Sequence, residues 1–221
     1  MAELIERLPW DSEFFGIPIA RTDLNGASLD TLRAIDAEAR AEGITCLYAT
    51  LDPTDEATAY DAQTLGHRLV EVSLNFERPG VPFTRKPSDS KVRPATLDDL
   101  PALDPAIRTM ASWSRYAADP RFGPAAARRM HDAIVERAAR GVGGRALVVA
   151  YDDAGVTKPG TGAADALLCW LFDWADGGPT EAGWAAARNI PCLRWLGRWG
   201  FRACGSKYVF HRWFDEAEGW R

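Results

Sequence analysis

Long apolar segments are absent from this chain of 221 residues. No stretch approaches the roughly 18 uninterrupted apolar residues that a membrane-spanning helix requires. The chain begins Met-Ala-Glu-Leu-Ile-Glu-Arg, which lacks the apolar core of a secretion signal. We therefore expect a soluble, cytoplasmic protein with no membrane partner.

Cysteine and histidine are also scarce, with four and three residues respectively. No two cysteines form a Cys-x-x-Cys pair, and the histidines fall in unrelated segments, so no spacing suggests a metal site. Three of the cysteines lie in apolar runs, which favours buried free thiols. The cysteines are Cys46, Cys169, Cys192 and Cys204.

Positive charge is in the minority, because 26 Lys and Arg face 31 Asp and Glu and leave a net charge of −5. The chain therefore offers no broad basic surface, and we expect no nucleic-acid partner. Only four arginines, Arg188, Arg194, Arg198 and Arg202, favour such a partner, and the last three are spaced four residues apart. An acidic protein can still bind a small anion through backbone N–H groups and a few arginines.

Apolar and aromatic side chains, by contrast, are plentiful. Hydrophobic residues make up 47% of the chain and nine of them are Trp, which is enough to build one large or two small domains. Residues 1–78 alternate between strand and helix patterns. The predicted elements there are an edge strand over 14–19, a helix over 28–42, a strand over 44–51, a helix over 55–65 and a strand over 70–76.

Residues 79–91 break every periodicity and are typical of a linker, so we predict domains over 1–78 and 92–221. In the second domain, Thr96 and Asp99 have the spacing of a helix-capping box. The predicted elements that follow are a helix over 124–140, a strand over 146–151, an apolar helix over 163–176, a helix over 191–199 and a strand over 207–214.

A glycine-rich turn, Pro159-Gly160-Thr161-Gly162-Ala163-Ala164, opens the apolar helix. Small residues let a backbone approach a ligand closely, and the start of a helix points free N–H groups at any bound phosphate. The pattern alone also fits an ordinary turn before a buried helix. It is not a P-loop, since no Gly-Lys-Ser or Gly-Lys-Thr follows.

A second motif starts at Arg188, and within it Asn189 suits a helix N-cap and Pro191 the first helical turn. It ends at Gly200-Phe201, where the glycine suits the position just after a helix. Taken in this order, the two motifs resemble the GNAT family of acyl-CoA N-acyltransferases.

The N-terminal half carries a further resemblance. Trp10-Asp-Ser-Glu-Phe-Phe-Gly16 and Leu65-Gly-His-Arg-Leu-Val-Glu71 are similar to motifs of the dTDP-fucosamine acetyltransferases within that family. The resemblance covers nearly the whole chain. It implies an α/β (α+β) GNAT fold, with a central mixed sheet flanked by helices and a lesser GNAT-like half at the N-terminus.

The resemblance also implies a chemistry, in which an amine attacks the thioester of acetyl-CoA directly. Acetyl-CoA would be a co-substrate, and the acceptor a small amine, with a nucleotide-linked aminosugar as the specific candidate. The residues expected to contact CoA are Gly160, Thr161, Gly162, Ala163, Ala164 and Asn189.

Three departures from the family pattern stand out. Pro159 replaces the Gln or Arg that opens the glycine motif, and Leu196 falls where a tyrosine commonly protonates the leaving thiolate. Only residues 152–158 fill an interval that normally holds two strands, so we predict a shortened central sheet with at most one short strand there. Tyr208 and His211 remain as candidates for proton transfer, on opposite faces of the last strand.

Two hypotheses stay open. The first is an N-acetyltransferase whose site has been rebuilt, for instance by a partner in a homodimer. The second is a GNAT-derived binding or scaffold protein that has lost catalysis, which a closed sheet filled by Trp170 or Trp184 would favour.

Overall fold

The computed structural model describes residues 4–80, 91–142, 147–152, 155–156, 163–176 and 178–214. A mixed α/β arrangement is formed by these residues, in agreement with the predicted fold class. The strands are β1 (Glu6–Arg7), β2 (Ile19–Asp23), β3 (Cys46–Leu51), β4 (Arg68–Arg78), β5 (Lys91–Pro94), β6 (Val148–Asp152), β7 (Gly155–Val156), β8 (Thr180–Ala186) and β9 (Arg202–Trp213). The α-helices are α1 (Pro9–Phe15), α2 (Leu29–Ala41), α3 (Glu56–Thr64), α4 (Leu100–Trp113), α5 (Arg115–Ala118), α6 (Gly123–Ala139), α7 (Ala163–Trp174) and α8 (Ile190–Arg198).

The strands form two sheets. A six-stranded mixed sheet has the order β1-β2-β3-β9-β4-β8, and a three-stranded sheet has the order β5-β6-β7. The chain divides into two compact units. Of the described residues, 4–74, 184–190 and 205–214 belong to unit 1, and the others belong to unit 2.

Unit 1 is built around β2, α2 and β3, where the two strands pair in parallel. Ser28 caps α2, since its hydroxyl accepts a hydrogen bond from the Thr31 N–H at 3.2 Å. The apolar stripe of α2 packs with α3 and the strands in one buried core. The predicted helices α2 and α3 and the strand β3 are thereby confirmed.

The first aromatic run of the chain is helical, so the predicted edge strand over 14–19 is wrong. Pro9 starts α1 and Gly16 ends it, and the strand β2 begins only at Ile19. The Ser12 hydroxyl explains the change, because it donates to the Leu8 carbonyl at 2.8 Å and accepts from the Ile19 N–H at 2.9 Å. One side chain thus ties the helix start to the strand that follows.

Strand β9 brings residues from the far end of the chain into unit 1. It pairs antiparallel with β3, with Phe210 opposite Ala49 and Arg212 opposite Leu47. Phe210 is completely buried in the core that α2 and α3 cover. The predicted last strand over 207–214 is confirmed and starts earlier, at Arg202.

A polar network lies beside this core. Asp36 of α2 is hydrogen-bonded to the buried His67 at 3.0 Å from Nε2, and the Arg212 Nε lies 3.4 Å from its other carboxylate oxygen. Gly66 precedes His67 with a φ of +92°, and a Cβ added there would lie 2.7 Å from the Arg212 guanidinium. Glycine is therefore favoured at this position by conformation, and a Cβ would also force the end of the Arg212 side chain to move.

Unit 2 contains the three-stranded sheet. The predicted capping box is confirmed, with the Asp99 carboxylate accepting from the Thr96 N–H at 2.8 Å. Arg93 donates both guanidinium arms to Asp99, which holds the pKa of that carboxyl well below its ordinary value. Helix α7 packs against β5 and β6.

The interval after β6 holds one two-residue strand, β7, within the described residues. This agrees with the predicted shortening of the central sheet. The segment over 180–186, whose composition is poor for a strand, nevertheless forms β8. Of the four free cysteines, Cys46 and Cys169 are buried as expected, Cys192 is half-buried and Cys204 is exposed.

We predict that Gly66→Ala destabilises unit 1 more than Gly26→Ala does. Both glycines have positive φ, but the space beside Gly26 is open. The left-handed strain costs roughly 1–2 kcal/mol at either position. At Gly66 the displaced Arg212 adds a further loss of about 1 kcal/mol in the free energy of unfolding. Urea denaturation measures the difference, and equal losses in the two variants would show that the Arg212–Asp36 contact contributes nothing.

Candidate functional site

Only part of the glycine-rich turn that is predicted to contact CoA lies within the described residues. Gly160, Thr161 and Gly162 lie outside the described residues, while Ala163 and Ala164 are the first two residues of α7. Ala164 is exposed and Ala163 is half-buried. The first turn of a helix has backbone N–H groups without intrahelical partners, and such groups can bind an anion.

The same turn carries an acidic side chain that the motif did not reveal. The Oδ1 atom of Asp165 accepts hydrogen bonds from the indole N–H groups of Trp199 at 2.7 Å and Trp195 at 3.1 Å. Trp195 belongs to α8 and Trp199 directly follows it, so the carboxylate fastens the start of α7 to the C-terminal part of α8 within unit 2. A carboxylate in a first helical turn also compensates the helix dipole.

Helix α8 holds the two other positions of the second motif. Asn189 directly precedes the helix, is half-buried and donates its backbone N–H to the Ala186 carbonyl at 2.9 Å. Leu196 is 4% exposed, so an apolar side chain fills the position where the family resemblance expects a proton donor. Arg202 lies in β9, and the three spaced arginines therefore do not form one helical stripe.

Tyr208 and His211 lie on opposite faces of β9, as the period of a strand requires. Their partners across the ladder are Leu51 and Tyr48 in a regular register. Tyr208 is half-buried and packs against the core of unit 1, with its ring 6.1 Å from that of Phe210. His211 is completely buried, and its ring lies 4.8 Å from that of Tyr48.

A groove in unit 1 is formed by two segments that are distant from each other in the sequence. The Ala187 N–H, just after β8, donates to the Val72 carbonyl at 2.7 Å. Residues 68–71 of β4 lie before this contact in the chain and belong to the first part of the strand. The groove has a volume of about 350 Å³, and we call it the Glu71 groove. It is lined by Leu69, Val70, Glu71, Val72, Ala187 and Arg188.

Two of the lining residues are charged, Glu71 and Arg188. The Ser73 hydroxyl donates to the Glu71 carboxylate, which fixes the orientation of that side chain. Arg188 is exposed and comes one residue before Asn189. The groove thus combines apolar walls with one carboxylate and one guanidinium, a composition typical of a small-molecule site.

Neither charged residue was predicted from the sequence to belong to a site. Glu71 fitted the polar face of an alternating strand, and Arg188 was one of four arginines in the C-terminal part of the chain. Yet Leu69, Val70 and Glu71 end the N-terminal motif, and Arg188 begins the second motif. The signal was present as two motifs, but only the fold brings them to one groove.

The predicted residues are divided between the units. Ala163 and Ala164 belong to unit 2, whereas Asn189, Tyr208 and His211 belong to unit 1. Within the part of the chain that the structure describes, no three His, Cys, Asp or Glu residues are grouped so as to hold a metal ion. No helix in that same part is long and apolar enough to cross a membrane.

Among solved structures, a protein of unknown function from Staphylococcus epidermidis is similar to this chain over most of its length. The two are 13% identical with a TM-score of 0.63, and the match covers 97% of this chain and 94% of the other. At this identity the likeness shows a shared fold and nothing about activity. No protein-family model matches the chain, and no curated protein matches it.

Two solved structures of GNAT proteins are also similar to this chain, with lower TM-scores. A tandem GNAT protein from the clavulanic acid biosynthesis pathway is 18% identical with a TM-score of 0.45, over 92% of this chain and 77% of its own. A GCN5-related N-acetyltransferase from Sphaerobacter thermophilus is 11% identical with a TM-score of 0.47, over 88% and 73%. Likeness at this level carries no argument about this chain.

We predict that Asp165→Ala lowers the free energy of unfolding of unit 2 by about 2 kcal/mol, because two partly buried indole N–H groups lose their acceptor. Asp165→Asn keeps an acceptor oxygen and loses only the charge, so its cost is about 0.3–1 kcal/mol. Asp173→Ala, at an exposed position of the same helix, is the control. Equal losses in Asp165→Ala and Asp165→Asn would mean that the indole contacts are not what matters. Thermal and urea unfolding followed by Trp fluorescence measure all three.

Proposed function

We propose that this protein is a GNAT-type N-acetyltransferase that transfers an acetyl group from acetyl-CoA to a small amine. The observation that carries the proposal is the Glu71 groove. Leu69, Val70 and Glu71 come from the N-terminal motif, and Arg188 adjoins Asn189 of the second motif. The end of the N-terminal motif and the start of the second motif, which each resemble parts of the family, thus line one groove.

The order of elements supports the same proposal. Helix α7 is followed by β8, α8 and β9, which is the helix, strand, Asn-helix and strand order that the resemblance requires. Strand β7 and strand β8, which flank α7 in the chain, belong to different sheets.

The CoA diphosphate would bind at the start of α7. Backbone N–H groups of Ala163 and Ala164 fit this role, since the turn is accessible and Asp165 is held against α8 by the two indoles. Gly160, Thr161 and Gly162 precede them in the chain, and Asn189 is proposed as a further CoA contact.

In the proposed reaction Glu71 prepares the acceptor. An ammonium group must lose a proton before its nitrogen can attack, and the Glu71 carboxylate is the acidic side chain of the groove that can accept it. Acetyl-CoA supplies an activated thioester carbonyl. The amine nitrogen bonds to that carbon and releases its second proton to solvent, the carbon–sulfur bond breaks, and the thiolate takes a proton. Leu196 cannot provide this proton, so Tyr208 and His211 remain the proposed donors.

We predict that Ala164→Glu weakens acetyl-CoA binding about tenfold, whereas Ala164→Gln leaves it near the wild-type value. The added carboxylate repels a diphosphate at the start of α7, yet it suits a first helical turn and leaves the fold intact. Isothermal titration with acetyl-CoA measures the dissociation constants. Equal affinities for the two variants would place the diphosphate elsewhere, and no binding by the wild type at millimolar ligand would contradict the proposed function.

We predict that Glu71→Gln lowers turnover at least about 100-fold at neutral pH, since it removes the proton acceptor but keeps the shape of the side chain. Glu77→Gln, at an exposed position of the same strand, is the matched control and should keep wild-type turnover. Release of CoA thiol in the presence of a panel of amines is the assay. Full turnover by Glu71→Gln would exclude Glu71 as the proton acceptor.

The alternative is a GNAT-derived binding protein without catalysis, which the buried Leu196 favours. Trp184 argues against it, because this side chain is 49% exposed and lies with its ring centroid 4.0 Å from the Lys207 Nζ instead of filling a closed sheet. Acetyl-CoA binding without thiol release for any amine in the panel would favour the alternative.

The finer expectations from the sequence stay predictions. A nucleotide-linked aminosugar is one acceptor to include in the panel, because the N-terminal motif resembles that of the dTDP-fucosamine acetyltransferases. A homodimer, a cytoplasmic location and domains over 1–78 and 92–221 are likewise proposed, with residues 79–91 as the linker.

A further inference from the structure

Four consecutive residues of one strand, Leu69 to Val72, line the Glu71 groove. Successive side chains of a strand point to opposite faces of the sheet, so Val70 and Val72 share one face while Leu69 and Glu71 share the other. A groove that contacts both faces therefore runs along the edge of β4. It exposes the backbone of the strand as well as its side chains.

The neighbour of β4 on this side is β8, which ends before the groove. Near the start of β8, the Glu181 carboxylate accepts a hydrogen bond from the Asn75 side-chain amide at 2.7 Å. Just after the end of β8, the Ala187 N–H donates to the Val72 carbonyl at 2.7 Å. The two strands therefore run antiparallel, and β8 covers β4 only from Val72 onward.

Beyond Ala187 the chain leaves the sheet. The Asn189 N–H donates to the Ala186 carbonyl at 2.9 Å, and α8 begins at Ile190. Among the described residues, no backbone hydrogen bond from this turn reaches Val70. The first part of β4 is thus an open edge on the side of the groove.

The backbone of Val70 faces this open side. In an antiparallel ladder, residues two apart direct both their N–H and their C=O groups toward the same neighbour. The Val72 carbonyl points to Ala187, so the N–H and C=O of Val70 point the same way, past the end of β8. One residue of the groove therefore offers a backbone donor and a backbone acceptor side by side.

An adjacent donor and acceptor of this kind complement another extended chain. A strand that adds to a sheet edge directs one N–H and one C=O at the same residue, and the two hydrogen bonds form together. An ammonium group can satisfy only the acceptor, and a simple anion can satisfy only the donor. The open edge therefore favours a peptide backbone.

We propose that the Glu71 groove binds an extended peptide segment, which adds to the edge of β4 as an antiparallel strand. One residue of the segment pairs with Val70, the residue before it lies opposite Glu71, and the residue after it lies opposite Leu69. Ala187 occupies the place opposite Val72, so the segment begins where β8 ends. The inference goes beyond the proposed function, because a bound segment would cover Glu71 and compete with the acceptor amine.

The side chains of the groove define the composition of the segment. Leu69 is 43% exposed although it is large and apolar, so an apolar residue opposite it would remove this surface from water. Val70 favours a β-branched residue at the paired position. The Glu71 carboxylate, which the Ser73 hydroxyl orients, favours a basic residue opposite it. The expected order is basic, β-branched, apolar.

The first test is isothermal titration with acetyl-Arg-Val-Leu-Thr-amide in the absence of acetyl-CoA. This peptide has no amine, so its binding does not depend on acetyl transfer. The reversed sequence, acetyl-Thr-Leu-Val-Arg-amide, has the same composition and is the control. We expect the forward peptide to bind about tenfold more tightly. Equal affinities, or no binding of the forward peptide at millimolar concentration, would overturn the proposal.

Methylated peptides separate backbone pairing from side-chain contacts. A methyl group on the valine nitrogen removes the N–H that donates to the Val70 carbonyl. A methyl group on the leucine nitrogen replaces an N–H that points away from β4. We expect the first change to weaken binding about tenfold and the second to leave it within about twofold. Equal effects of the two methyl groups would rule out strand addition.

A variant of the protein tests the same pairing from the other side. Val70→Pro removes the N–H that faces the groove, which an edge strand tolerates. It should bind the peptide about tenfold more weakly than Val70→Ala, which loses the side chain but keeps the N–H. Equal affinities would contradict the role of this N–H. Urea unfolding checks that both variants fold, and the methylated peptides decide the question if Val70→Pro does not.

A charge variant tests the residue opposite Glu71. Glu71→Gln should weaken acetyl-Arg-Val-Leu-Thr-amide about threefold and leave acetyl-Gln-Val-Leu-Thr-amide unchanged. Glu77→Gln, at an exposed position of the same strand, should change neither affinity. An equal effect of Glu71→Gln on both peptides would contradict the predicted register.

A second copy of this chain is the alternative occupant, because two β4 edges can pair with each other. Sedimentation of the wild type and of Val70→Pro distinguishes the two. A dimer that Val70→Pro dissociates, with no peptide binding, would contradict the peptide and assign the edge to self-association. Selective peptide binding without release of CoA thiol for any amine would support the edge site and contradict the acetyltransferase.

Discussion

Strand β9 pairs with β3 over six residues, and the core of unit 1 depends on that pairing. It joins a strand near the start of the chain to one near its end. The pairing places Phe210 in the core that α2 and α3 cover, and it places Arg212 beside Asp36. Contacts of such sequence separation cost chain entropy before they stabilise anything, so they require a well-packed core as compensation. The complete burial of Phe210 and the paired charges beside it provide that compensation.

The same pairing explains why the candidate groove and the core are separate in unit 1. Where β9 pairs with β3, Phe210 lies in the core that the helices cover and Tyr208 packs against that core. The groove instead forms where β4 passes the turn at Ala187 and Arg188, beyond the last residue of β8. Strands that end at different points leave short stretches of their neighbours uncovered, and polar side chains at such places can face a ligand instead of a core. A rigid core on one side and an uncovered strand end on the other suit a small binding site.

Local signals predicted the elements of the fold well, and long-range contacts account for what was missed. Ser28 and the stripe of Leu32, Ile35 and Ala39 sufficed for α2, because a cap and a helical period are local. Phe14 and Phe15 looked like a strand, since the hydrogen bonds of the Ser12 hydroxyl to Leu8 and Ile19 are invisible in a pattern of apolar residues. Asp165 escaped notice for a similar reason, as its two partners lie 30 and 34 residues away. Glu71 and Arg188 are 117 positions apart, and no periodicity predicts that they share a groove.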